Sequence, residues 1–353
     1  MTDRLAFFVG STTPFNVRLD VQHYVWMLRE RFDIDLVATD FSGFSSAVLA
    51  DVAQHGATHA SNRPGEYRAV REYLDAHDPA ALVHVTRSAL PPSVVAGAAK
   101  SNGVPVVYRY GSDELYTYRV ASGWRKAGYF FRNNVLGRAM LRLSDVQMVF
   151  GPTAKRRLTS RGCEPDNVVE LPPPFDPGRL TMDGDSSAHT VAPRDRDLVL
   201  FVGRRIRYKG FDYLVERIPE LIESRPSLHF AFVGGGDRDP ELPPPADDHV
   251  TVVGEVEPEF MGAYFDAADL LVHPTLTEAF GRVIVEAQLA GTRTLARDVG
   301  DVAVATENTF ETDQEFVDSV VSFEDLSLED GTRFDRAKLK PEYVSFFERL
   351  TAR

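Results

Sequence analysis

The chain has 353 residues, of which 43% are hydrophobic and 26% charged, with a formal net charge of −13 and one cysteine. That length suits about two domains, each large enough to bury its own core. The lone cysteine excludes a disulfide framework and any cysteine-cluster metal site, and no apolar run reaches the ~20 residues that cross a bilayer. Leu5 to Val9 is too short for a signal-peptide core and has no basic leader, so a soluble, cytoplasmic protein is expected. Cys163, in Arg-Gly-Cys-Glu, reads as a packing residue rather than a nucleophile.

The charge is unevenly spread. Residues 1–180 carry 21 Lys+Arg against 18 Asp+Glu, whereas residues 181–353 carry 18 against 34. Only 6 of the 39 basic residues are lysine, while aspartate alone contributes 30 acids. Such Asp-rich, Lys-poor surfaces resemble those of proteins from high-salt cytoplasm, where screening tolerates a like-charge excess. The acidity of the second half argues against a nucleic-acid partner.

In chain order, Leu5–Val9, Asp35–Ala38, Ala81–Val85, Val104–Tyr108 and Val146–Phe150 are apolar runs of strand length. Segments with helical spacing, such as Leu19 to Phe32 and Arg68 to His77, lie between them. Continuous apolar strands alternating with helices predict a parallel sheet covered on both faces. The Pro-rich run Pro172–Gly178 and the polar Asp183–Ser187 break the pattern and read as a linker. Alternation then restarts with Leu198–Val202, Phe230–Val233, Val250–Val253, Leu270–His273 and Thr294–Ala296, and a last helix, Glu342 to Leu350, follows Pro341. The expectation is two successive doubly wound α/β domains with a ligand cleft between them.

The chemistry concentrates in the second domain. Gly203-Arg-Arg-Ile-Arg-Tyr-Lys-Gly210 follows an apolar strand, and its four cations have no local acid. Such a loop suits an anion such as a diphosphate, each charge-assisted bond being worth roughly 1.5–3 kcal/mol; the alternative is a solvated basic loop. In Pro274–Gly291 a strand end leads through Glu278 to a helix starting near Gly281, whose first amides suit a phosphate. Glu286 stands among Val283, Ile284, Val285, Ala287 and Leu289, so a buried helix is expected, with the carboxylate needing a donor partner. A sugar diol supplies two hydroxyls; a neighbouring backbone amide or arginine is the structural alternative.

With these blocks in view, the chain resembles the retaining glycosyltransferases of family 4, which have the GT-B fold of two Rossmann-like domains facing across a cleft. The resemblance runs from about residue 100 to 305. It is carried by Phe201-Val-Gly-Arg…Lys-Gly-Phe-Asp-Tyr-Leu214, Phe232–Gly236, Tyr264–Asp269 and Glu278-x7-Glu286. It implies an acceptor domain over 1–175, a linker over 176–197, a donor domain over 198–335 and a C-terminal helix over 336–353 returning to the first domain. It further implies that Arg204 and Lys209 hold the donor diphosphate, that Glu278 contacts the donor sugar, and that Glu286 holds the nucleotide ribose. Gly203 and Ala279 would bind the donor, Gly10 and the amides of Phe280, Gly281 and Arg282 would border its phosphates, and Gly254 to Val256 the base. The donor would be a UDP- or GDP-linked sugar, with no further cofactor and no metal. Thr12, His84 and Tyr110 are candidate contacts to acceptor or sugar, with a packed or exposed histidine as the favoured alternative for His84, which ends a strand.

Four segments depart from the family pattern. The first loop, Gly10-Ser-Thr-Thr-Pro14, has one glycine, and Tyr110 stands where the family usually has histidine. Leu171–Asp176 replaces the usual Pro-Asn-Gly, and Val299-Gly-Asp301 lacks the second glycine. The implied reaction is glycosyl transfer with retention, a hexosyltransferase activity in which the leaving diphosphate does what a glycosidase carboxylate pair otherwise does. Replacing Glu278 or Lys209 with alanine is expected to abolish transfer with little loss of fold. A GT-B sugar phosphorylase, a nucleotide-sugar epimerase, or a silent nucleotide- or sugar-binding protein are the alternatives. Asp237-Arg-Asp239 matches a metal-binding Asp-x-Asp pattern but reads as a solvated loop, and the nine histidines show no metal-ligand spacing.

One segment opposes the overall charge. Arg119 to Arg161 has ten Lys or Arg against one acid, Asp145, interleaved with aromatics. A face of Trp124, Arg125, Lys126, Phe130, Phe131 and Arg132 suits an anionic membrane or a lipid-linked phosphate or glycan acceptor. That reading places the protein peripherally on the cytoplasmic membrane face. The alternative is an ordinary sheet-covering helix with its aromatics in the core.

Overall fold

The apolar runs form the centres of two parallel sheets. The structure, a computed structural model, describes residues 2–85, 90–111, 115–121, 123–180, 191–193, 195–236 and 238–352, with the side chains of 90–92, 117 and 136 excepted. Asp183–Ser187, His189 and Asp237 lie outside the described residues.

The chain divides into one unit of Met1–Phe175 with Phe334–Arg353 and a second of Asp176–Arg333. The first unit contains β1 (Arg4–Phe8), β2 (Asp33–Val37), β3 (Ala53–His55), β4 (Ala81–His84), β5 (Val106–Arg109), β6 (Val146–Val149) and β7 (Val168–Glu170). They pair in the order β3-β2-β1-β4-β5-β6-β7, all parallel, with Leu5 opposite both Ile34 and Ala81. Successive β1 residues point to opposite faces: Leu5 and Phe7 enter one apolar cluster, Ala6 and Phe8 the other. Because both faces are covered, these strands read as unbroken apolar runs rather than as alternation.

The second unit contains β8 (Asp197–Val202), β9 (Leu228–Val233), β10 (Val250–Gly254), β11 (Leu270–His273), β12 (Arg293–Arg297) and β13 (Thr309–Phe310). Its order is β10-β9-β8-β11-β12-β13, again parallel. Val199 and Phe201 face one core, Leu198 and Leu200 the other. The order reverses between β8 and β11, and the crevice at their carboxyl ends is where such sheets take ligands. In the first sheet the reversal lies between β1 and β4.

The last helix is longer than the run Glu342 to Leu350. It spans Arg336–Thr351, because Asp335 caps it through the Ala337 N–H and Pro341 is accommodated inside it rather than before it. Leu339, Tyr343, Phe346, Phe347 and Leu350 bury themselves in the first unit's core and outweigh the lost backbone bond. Tyr343 stacks on Tyr24 at 5.3 Å and donates to the Pro172 carbonyl at 2.9 Å. Of the stretch read as a linker, Val191 is buried and belongs to a core of the second unit.

Candidate active site

The loops after β8 and β11 are stitched to each other. Leu276 N–H and the Thr275 hydroxyl both donate to the Tyr208 carbonyl, at 2.9 and 3.1 Å. Gly210 adopts φ +84°, and a Cβ there would lie 2.2 Å from the Pro274 carbonyl oxygen, so only glycine allows the approach. This brings Lys209 to Glu278: Nζ lies 2.7 Å from Oε2. His273 Nε2, at the end of β11, lies 3.3 Å from the same oxygen, and Ala279 N–H donates to Oε1 at 3.0 Å. Burial alone would raise the Glu278 carboxyl; the Lys209 charge and the His273 hydrogen bond more than offset it and hold it well below the usual carboxylate range.

The other cations of the basic loop differ from one another. Arg205 is not available to an anion: it is buried and donates to the carbonyls of Gly234, Gly236 and Arg238 at 2.6, 2.6 and 2.7 Å. It ties the β8 loop to the glycine turn after β9. The exposed Asp239 stands 3.4 Å from it. Arg204 is exposed and donates to the Tyr208 hydroxyl, its guanidinium 5.6 Å from that ring.

Gly203, directly after β8, donates its N–H to the Val233 carbonyl at 2.9 Å. Past Glu278 the chain runs through Ala279 and the buried Phe280 to Gly281, whose φ of +87° opens the helix Arg282–Leu289. Arg282 Nε lies 3.9 Å from Glu286 Oε1. Glu286 itself corrects the expectation of burial: its side chain is 30% exposed, because Ile284, Val285, Ala287 and Gln288 take the inward positions of this short helix. Val256, two residues past β10, is half-buried against the second unit's core.

In the first unit, the expected phosphate approach near Gly10 meets a carboxylate instead. The buried Glu66 accepts from Ser11 N–H at 2.6 Å and from the Ser11 hydroxyl at 2.5 Å. The buried Arg18 holds the same loop through the Thr13 carbonyl at 3.2 Å. Thr12 is exposed. His84 is fully buried, 5.1 Å from Phe8 and 6.2 Å from Tyr108, so it is a core residue and not a ligand contact. Burial pulls its pKa down to about 3. Tyr110 is buried and packs on Tyr108 at 6.4 Å. Burial pushes the half-buried Cys163 thiol up, away from nucleophile character.

The basic aromatic segment forms helix Gly123–Phe130 and a π-helical stretch Phe131–Leu136. Trp124 is 81% exposed, Phe131 56% and Phe130 46%, with Arg125, Lys126 and Arg132 exposed beside them. The aromatics are therefore not core residues of a sheet-covering helix. Among the described residues, no cluster of three or more metal-ligating side chains occurs and no helix is long and apolar enough to cross a membrane.

Sequence reasoning missed His273 and Tyr208 as parts of the Lys209–Glu278 site, and Glu66 as the partner of Ser11. For His273 a signal existed, its place at a strand end five residues before Glu278. The partner of Ser11 lies 55 residues away and left none.

Solved structures define the fold as GT-B. HepE from Anabaena, solved with UDP and glucose, matches with a TM-score of 0.71 at 18% identity, over 98% of this chain and 100% of that one. Sucrose-phosphate synthase from Thermosynechococcus elongatus matches with 0.75 at 18% identity, over 99% of each. Residues 196–323 match the family model of glycosyl transferases group 1. The D-inositol 3-phosphate glycosyltransferase of Nocardiopsis dassonvillei is 34% identical over 160 residues, 40% of this chain and 37% of that protein. The gpi3 subunit of phosphatidylinositol N-acetylglucosaminyltransferase from Schizosaccharomyces pombe is 24% identical over 54% of this chain and 42% of its own length. The matched region thus spans less than half the length of these curated relatives.

Proposed function

We propose that the protein is a glycosyltransferase that moves a sugar from a nucleotide-sugar donor to an acceptor hydroxyl with retention. The observation that carries this reading is the Lys209–Glu278 pair at 2.7 Å, formed where the β8 and β11 loops meet at the reversal of strand order. A carboxylate and an ammonium side by side suit a ligand with hydroxyls at one end and a diphosphate at the other. Glu278, kept ionised, accepts from sugar hydroxyls. Lys209 and Arg204 stabilise the charge that grows on the diphosphate as the bond from its oxygen to the anomeric carbon breaks. The electron pair leaves with the diphosphate; the acceptor oxygen bonds to the anomeric carbon on the same face, and its proton passes to the departing phosphate oxygen. Amides at Phe280 to Arg282 face the phosphates, and the partly exposed Glu286 takes the ribose hydroxyls.

The acceptor side of the proposal rests on Trp124 and Phe131. A face with these aromatics exposed among Arg125, Lys126 and Arg132, in a protein of net charge −13, suits an anionic membrane carrying a lipid-linked acceptor. The relatives named above act, by their names, on inositol 3-phosphate and on phosphatidylinositol.

The test incubates the protein with UDP-, GDP- and ADP-linked hexoses and a panel of soluble and lipid-linked acceptors, following nucleotide release and the anomeric configuration of the product by NMR. Acceptor-dependent release with an axial donor linkage preserved supports the proposal. Inversion removes the retaining assignment. Sugar transfer only to inorganic phosphate, or donor isomerisation without acceptor, replaces the proposal with a phosphorylase or an epimerase.

A further inference from the structure

Glu278 is held by three donors, and one of them has a second task. If Lys209 turns its ammonium to a bound diphosphate, the 2.7 Å contact to Glu278 Oε2 weakens when the carboxylate most needs a fixed position. Ala279 N–H fixes only Oε1, at 3.0 Å. His273 Nε2, 3.3 Å from Oε2, remains.

We infer that His273 is a positioning residue that orients Glu278 toward the donor sugar, donating Nε2–H to Oε2 while Lys209 serves the diphosphate. The inference rests on the proposed role of Glu278 and deepens it. A carboxylate can only accept, so the Nε2 position carries the proton. The side chain is 5% exposed, which keeps it from touching the sugar itself; it acts through Glu278. Its placement is rigid, since it ends β11 and pairs there with Ala296 of β12. The charged groups facing it are Glu278 and Lys209; burial lowers its proton affinity, the Glu278 contact opposes that, and Lys209 adds to the lowering. A neutral ring gives one directed hydrogen bond without placing a second cation beside Lys209.

The experiment compares His273→Leu and His273→Gln with the wild type, using calorimetry with UDP, GDP and ADP and with their glucose conjugates. The inference predicts that His273→Leu loses about tenfold or more in affinity for the nucleotide sugar, the value of one hydrogen bond to a charged group. Its affinity for the sugar-free nucleotide stays within about twofold, because that ligand does not reach Glu278. His273→Gln, which keeps an N–H donor, recovers most of the loss. Equal losses for nucleotide and nucleotide sugar, no loss in the leucine variant, or no difference between leucine and glutamine overturns the inference. A fall in melting temperature common to both variants marks a structural role and also overturns it. If the wild type binds none of the nucleotides or conjugates, it is the underlying reading of the site that fails.

Discussion

The α-carbon of Gly300 lies against the Glu278 carbonyl, so closely that a Cβ at position 300 would stand 1.9 Å from that oxygen. Gly300 also adopts φ +66°, and the next residue, Asp301, donates its N–H to the Ala279 carbonyl at 3.0 Å. The β12 loop thus forms the wall against which the Glu278 loop rests. Gly300→Ala must displace that wall, at a cost of about 1–3 kcal/mol for the strained backbone alone. The expected outcome is a lower melting temperature together with a loss of nucleotide-sugar binding of tenfold or more, on the order of 1.4 kcal/mol. Calorimetry on the purified variant checks it.

Lys209 and Glu278 stabilise the fold as well as the site. Their side chains are 26% and 20% exposed, so removing one leaves the other largely desolvated. The expectation of little loss of fold on replacing either alone is therefore revised: Lys209→Ala costs about 1–3 kcal/mol, somewhat below the range for a fully buried pair. The double variant Lys209→Met, Glu278→Gln regains stability, since it strands no charge, yet stays inactive. Urea unfolding and transfer assays on the three proteins measure both.

His84 makes stability depend on acid. In the fold its pKa is about 3, against about 6.5 for an unperturbed histidine. Between these values the unfolded chain binds more protons than the folded one, so stability rises with pH and falls as pH drops below 6.5. The slope is about 1.4 kcal/mol per pH unit in that window, full stability being present above it. His84→Phe, which keeps the packing on Phe8 and Tyr108, is expected to flatten the decline in unfolding free energy between pH 6 and 4 by roughly one proton. An unchanged slope would show that this histidine is not the group responsible.

The exposed aromatic face makes a separate prediction. Trp124→Ser with Phe131→Ser removes two apolar anchors, each worth roughly 1.5–3 kcal/mol when fully buried. Binding to phosphatidylglycerol-containing vesicles in a sedimentation assay falls by at least tenfold, while nucleotide binding is unaffected. Equal binding by the double variant and the wild type would remove the membrane-facing assignment.

What could be read from the sequence follows from burial. The central strands β1, β4, β8 and β11 lie between two covered faces and therefore appear as continuous apolar runs. The short edge strands β3, β7 and β13 have only two or three residues each and pair on one side, so Ala53-Gln-His55 carries no such signature, whereas the five-residue edge strand β10 reads as the run Val250–Val253. The candidate site was legible as two separate loops, not as one cluster. Lys209 and Glu278 are 69 residues apart, and the acid that balances the basic loop lies on the neighbouring strand's loop. Counting apolar neighbours misjudged Glu286, because an eight-residue helix still turns one face outward. Residue type likewise could not tell the exposed Trp124 from a core tryptophan; only the turn of helix Gly123–Phe130 decides that.

The most direct test of the account is the melting temperature in high salt with UDP, GDP, ADP and their hexose conjugates, for the wild type and Glu286→Ala. A ligand at about 100 times its dissociation constant adds ~2.7 kcal/mol, which a melting curve detects. The account predicts a rise with one base, further changed by the attached sugar and lost in Glu286→Ala. No rise with any nucleotide, in a protein that melts cooperatively, would contradict it.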